Sequence, residues 1–304
     1  MKKFFFCAAA AAIVALASCS KTQIVYNDAP QEIGFKAVTG AITKAVQTQN
    51  NFTQDMGVIA YQSGKTDVYF TNAQFEKETD ATTWNGKTPQ YWPIASSLDF
   101  FVYSPYQASG VTPTNTADSK TLEVVVADNG INQVDYLYST AYITGKSKIS
   151  GNIPVDFDHA LAYVTVNFSG ENVITLSNAK LNGTYQSGTY TVTYGNETSI
   201  AWSSQGEPTA LILNGGKLTE DYTTSWLVVP EDGSNVGNTI SFDYKIDGMT
   251  GSPISTSIPL SETWVAGTHY TYNVTIGANE IKFTVNSVDG WATGSTANTN
   301  TTIK

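Results

Sequence analysis

The stretch "THYTYNVTIGANEIKFTVNSV" (268–288) reads as a β-hairpin. Two runs of alternating apolar and polar residues flank Gly277-Ala278-Asn279, residue types suited to the backbone angles of a tight turn. In the second run Ile281, Phe283 and Val285 share one face, and Lys282, Thr284 and Asn286 the other. A period of two with the apolar set on one side marks a strand half-buried against a core.

The same pattern extends outward from the hairpin. Toward the N-terminus it recurs in "TISFDYKI", "TSWLVVP", "GTYTVTYG", "NVITLSNAKL" and "LAYVTVNF", and before those in "TLEVVVAD", "SLDFFVYSPY", "TDVYFTN" and "MGVIAYQ". Short runs punctuated by turns at this spacing predict an all-β fold of the sandwich type. No window of useful length repeats at 3.6, so the one helix expected is a short loop insertion around 73–79. No short repeat period is visible, which argues against a solenoid or propeller. A Gly/Ser/Lys-rich loop at 144–152 predicts a boundary near 155. The expected layout is two β-sandwich domains in tandem, 45–155 and 156–304.

Composition narrows the function. All 16 basic residues are lysine, against 26 acidic ones. With no guanidinium fork for phosphate and a net negative charge, nucleic acid is not an expected partner. At the N-terminus Lys2 and Lys3 precede an apolar stretch, Phe4 to Ala17, too short to span a bilayer as a helix. It ends in Leu16-Ala17-Ser18-Cys19, which resembles a bacterial lipoprotein signal, so 1–18 is the expected signal peptide and Cys19 the expected lipid-bearing residue. The alternative is an ordinary signal peptide with an incidental cysteine. Cleavage there takes away Cys7 and two lysines, leaving one cysteine and 14 basic against 26 acidic residues, a formal charge of −12. A single cysteine forms no internal disulfide.

Catalytic chemistry finds little support. The two histidines, His159 and His269, lie far apart in sequence. In "VDFDH" (155–159) an extended backbone puts Asp156 and Asp158 on one face and His159 on the other, a poor arrangement for one metal ion. There is no nucleophile elbow, P-loop, dinucleotide fingerprint or zinc spacing. No catalytic residue, metal ligand or cofactor is therefore expected. Six tryptophans and 17 tyrosines admit either core packing or a platform for sugar rings. Trp84, beside Asn85-Gly86, is the ring expected to be exposed.

Three blocks, "YWPIASSLDFFVYSPY" (91–106), "PVDFDHALAYVTVNF" (154–168) and "WVAGTHYTYNVTIGANEIKFTVNSVDGW" (264–291), stand in this order behind the lipoprotein signal. Together they resemble the signature blocks of the fimbrillin family, the lipoprotein subunits of type V pili in Bacteroides-like bacteria. The resemblance implies that both sandwiches are transthyretin-like. It further implies an outer-membrane lipoprotein, held through lipid on Cys19, that becomes part of an extracellular pilus. Its partners would be other pilin subunits, joined by strand exchange, and a host or bacterial surface ligand whose nature is unknown. In that scheme 19–44 is an anchor and removable strand segment, and "VTGAITKAV" (38–46) holds the cut. The family offers arginine there; this chain has Lys44, followed by Ala45. An uncut chain would stay on the membrane as an anchor subunit. Ile281, Phe283 and Val285 are candidate donor-strand residues, the alternative being that 280–288 is the final core strand of its own domain. The competing function is a surface lipoprotein that binds carbohydrate without polymerising.

Overall fold

A computed structural model of the chain describes residues 29–37, then 52–290 apart from 80, 81, 128, 131, 132, 214, 219, 232–236 and 279, and finally 299–303. Among these residues there are 23 strands, a single 3-10 turn at Lys148–Ser150 and no α-helix. The fold is all-β, as the alternation predicts. The strands begin with β1 (Gly34–Ala37), β2 (Met56–Gln62), β3 (Val68–Lys77), β4 (Thr83–Gly86), β5 (Leu98–Ser104) and β6 (Val111–Asn115). They continue with β7 (Lys120–Val126), β8 (Leu137–Ser139), β9 (Ile143–Lys146), β10 (Ile153–Val155), β11 (Phe157–His159) and β12 (Ala162–Gly170). Next come β13 (Ile174–Thr184), β14 (Ser187–Tyr194), β15 (Thr198–Gln205), β16 (Thr209–Ile212), β17 (Gly216–Leu218) and β18 (Tyr222–Val228). The last are β19 (Thr239–Ile246), β20 (Ile254–Pro259), β21 (Thr268–Ile276), β22 (Ile281–Gly290) and β23 (Thr299–Ile303).

Four sheets result. The largest has nine strands, ordered β10-β1-β4-β3-β2-β5-β8-β11 with β9 on β5. Its middle strands, "MGVIAYQ" and "LDFFVYS", are apolar almost throughout because both faces are covered. Met56, Val58, Ala60, Phe100 and Val102 enter one core on one side. The alternate residues Ile59, Tyr61, Phe101 and Tyr103 enter a second core on the other. Gly57 stands opposite Tyr103 in the ladder, and a Cβ there would overlap the tyrosine ring.

The second core is closed by a four-stranded sheet, β15-β14-β7-β6. Here Leu122, Val124 and Val126 of β7 and Tyr190, Val192 and Tyr194 of β14, on neighbouring strands, line the face turned to that core. The hairpin β14–β15 lies in the range 156–304, yet β14 pairs with β7 from Thr121 to Val126. Likewise β11 closes the nine-stranded sheet against β8. Strands thus cross the boundary expected near 155. Their apolar faces match the uncovered side of β2 and β5, and burying that side draws the hairpin across.

The remaining two sheets face each other around a third core. One is β18-β12-β21-β22-β23; the other is β16-β13-β19-β20 with β17 on β13. Val164, Val166 and Phe168 alternate inward from β12, and Tyr272 and Val274 from β21, toward Leu176 and Phe242. The outward faces of β12 and β21 carry a polar ladder in parallel register. Asn167 bonds Asn273 at 2.7 Å and Ser169 bonds Thr275 at 2.8 Å. The 268–288 hairpin forms as read, with Ile276 opposite Ile281 at its turn.

One expectation is corrected in β3. Residues 73–77 are not helical but the second half of β3. Asn72, at φ 38°, bulges the strand and shifts its register on β2, and this breaks the period of two that would otherwise have marked it. Tyr103 Oη donates to Asn72 Oδ1 at 2.6 Å, and Asn72 Nδ2 donates to Gln107 O at 2.7 Å, holding the bulge. The polar tail beyond Trp291 contains a further strand, β23, paired with β22 from Ile281 to Val285.

Candidate functional site: the N-terminal strand and its slot

The sequence singles out the segment ahead of Lys44, and the structure gives it a partner on either side. β1 pairs in parallel with β10, Phe35 opposite Ile153, and antiparallel with β4, Phe35 opposite Trp84. The chain just before it is stitched in as well. Ile33 N–H donates to Gln90 O at 2.7 Å, and Trp92 N–H donates to Gln31 O at 3.0 Å. Phe35 is fully buried, edge-on to Phe75 at 4.9 Å and to Phe100 at 5.5 Å. Ile33 is fully buried in the same core.

This arrangement has a chemical consequence. A four-residue strand has no stability alone and is held by its slot. If it leaves, the ladders of β4 and β10 lose their partners and the core opens where Phe35 stood. Unpaired backbone groups beside an apolar hole favour the entry of another strand.

Of the residues named from sequence, Cys19, Lys44 and Ala45 lie outside the described residues. Ile281, Phe283 and Val285 are buried in the third core, with Phe283 stacked on Tyr272 at 5.9 Å. Their strand, β22, is bonded along its length to β21 and along its first half to β23. Trp84 is corrected: it is not exposed but 2% accessible, because β1 on one side and Phe52 at 5.1 Å on the other enclose it. Its indole N–H donates to Gln54 O at 2.9 Å.

In "VDFDH" the alternation holds: Asp156 and Asp158 face solvent and His159 is buried. Its Nδ1 lies 2.9 Å from Oδ1 of Asp135, a fully buried carboxyl that sequence inspection did not single out. Burial pushes the Asp135 carboxyl above the usual range, and His159 opposes that rise. Among the described residues no three His, Cys, Asp or Glu side chains gather in a way that could hold a metal ion. His269 sits apart, Nε2 against Thr165 Oγ1 at 2.9 Å.

Residues 43–291 match the fimbrillin-like family model. The chain belongs to the fimbrillin-like family. The match begins beside Lys44 and leaves β1 outside it. This fimbrillin-like chain is 25% identical over 236 residues to the candidate fimbrium subunit Fim1C of Bacteroides uniformis, covering 74% of itself and 72% of that protein. Its fold is similar to that of a candidate cell adhesion protein from Bacteroides uniformis, with TM-score 0.56 at 18% identity, covering 86% of this chain and 99% of the other. It is also similar to that of a candidate cell adhesion protein from Bacteroides ovatus, with TM-score 0.57 at 13% identity, covering 88% and 100%. At these identities the two crystal structures speak to the fold of the fimbrillin-like chain.

Proposed function

We propose that this chain is a structural or adhesive subunit of a cell-surface pilus, exported as a lipoprotein on Cys19 and assembled by strand exchange after a cut between Lys44 and Ala45. The observation that carries the reading is the position of β1. It lies upstream of Lys44 and inside a sheet, and it contributes Phe35 to a core whose other strands all lie downstream of the cut. Such a strand can be severed from the domain it completes. Its departure leaves a groove shaped for one extended segment with alternating apolar residues.

The segment that fills the groove must leave its own sheet without emptying its own core. Phe283, Ile281 and Val285 fit the role of final core residues better, since each is buried among residues of both sheets of the third core. Among the described strands β23 pairs on one side only, but its sequence, Thr-Asn-Thr-Thr-Ile, lacks the alternating apolar residues the groove takes. Two tests address separate parts of the reading. Cys19→Ala should leave the precursor unprocessed and unretained by the membrane; labelled fatty acid still entering that variant overturns the anchor. A synthetic peptide of residues 29–43, added while the protein is cut, should occupy the vacated groove and suppress multimers. Multimers forming at the same rate with the peptide present overturn the groove.

A further inference from the structure

We infer that a cleft at the opposite end of the nine-stranded sheet binds a neutral saccharide unit. Its volume is 560 Å³, within the range typical of small-molecule sites. Lys65 and Asp67 of the β2–β3 turn, Asp99 of β5, and Asn115, Thr116 and Lys120 of the β6–β7 hairpin line it. It stands at the Gln62 end of β2. The β1 slot lies at the other end, since β4 reaches β1 from the level of Met56 and Phe75. Loss or replacement of β1 leaves the cleft untouched.

Asp99 is the anomaly that marks the place. It is a carboxylate in "LDFFVYS", 7% accessible, in a strand of large apolar side chains. Its Oδ1 accepts from Ser63 Oγ at 2.5 Å and Gly145 N–H at 2.8 Å. Among the described residues Oδ2 receives only Gly64 N–H at 3.4 Å, the long limit of a hydrogen bond, and keeps acceptor capacity. Lys65 Nζ bonds a neutral acceptor, Gln62 Oε1, at 3.1 Å, and Lys120 Nζ bonds Thr116 O. Each ammonium has three donors, so both retain some.

The charges identify the ligand class. Lys65 and Lys120 balance Asp67 and Asp99, so an anion meets two carboxylates and a cation meets two ammonium groups. What the wall offers in quantity is acceptors and donors side by side, with the hydroxyls of Thr66 and Thr116 among them. A ligand whose hydroxyls donate and accept at once satisfies both sets, and a sugar ring does this from several positions.

The test is chemical-shift mapping on the uncut, monomeric chain, which separates this site from polymerisation. The probes are galactose, mannose, glucose and N-acetylglucosamine, with acetate and choline as charged controls. At least one sugar should give saturable shifts confined to 64–67, 99 and 115–120. The exposed pair Lys65→Ala/Asp67→Ala should weaken that binding at least about tenfold, with the Tm unchanged. Shifts with no sugar, shifts as large with acetate or choline, or binding unaltered in the double variant each overturn the proposal.

Discussion

Burial gives His159 a partner that its neighbours in sequence do not. The residue lies beside Asp156 and Asp158, yet it turns inward to Asp135, 24 positions earlier. Alternation shows which way His159 points, but only the tertiary fold brings in Asp135, because that residue lies outside any strand. The pair is expected to matter to stability. His159→Ala removes one member and leaves a fully buried carboxyl without its counter-group, so it should cost about 3–5 kcal/mol in denaturant unfolding. A loss below about 1 kcal/mol would show that the pair is not coupled. Trp84 teaches the same lesson in reverse. Asn85-Gly86 beside it reads as a turn, yet these residues continue β4, and the ring is covered by β1 and Phe52, neither of which is local to it.

At the scale of elements, legibility follows period and length. β2, β5, β12, β14, β19, β21 and β22 stand out in the sequence because each sets a run of apolar residues against a core. β4, β15, β17 and β23 do not, being short or polar, and they are strands because a neighbour offers a ladder. The same distinction bears on β22. Phe283 is 5% accessible and stacked on Tyr272, so a charge there meets an apolar interior. Phe283→Asp should therefore unfold the third core in the monomer, seen as lost dispersion of its NMR signals. A folded Phe283→Asp monomer that no longer polymerises would return β22 to the donor role.

The whole molecule carries a record of how the chain is woven. Sequence order suggests one sandwich after another, but β14 and β15 travel back to cover β2 and β5, and that crossing has no local signal. The core so formed is rich in tyrosine. Burial pushes the Tyr103 phenol up to about 12, and raises Tyr138, Tyr142, Tyr190 and Tyr194 as well. A phenol raised in the folded state loses its proton first in the unfolded chain. Stability is thus whole below the unfolded value of about 10 and drains away as pH rises through it toward the folded values. The urea midpoint should fall steeply above pH 10, with little change between about 8 and 9.5. A flat midpoint through this range would mean that the phenols ionise without unfolding.

On the function proposed above, β1 is a removable part of a domain whose remainder polymerises. Lys44 is the only basic residue between Lys36 and Lys65, so a lysine-specific cut in this segment can fall only there. Lipid-free protein is digested briefly with a lysine-specific protease, then followed by N-terminal sequencing and by SDS gels without boiling. Digestion should give a stable fragment beginning at Ala45, followed by a ladder of SDS-resistant multimers, and neither product from Lys44→Gln. A first cut elsewhere, such as in 144–150, or a fragment from Ala45 that stays monomeric at every concentration, would contradict it.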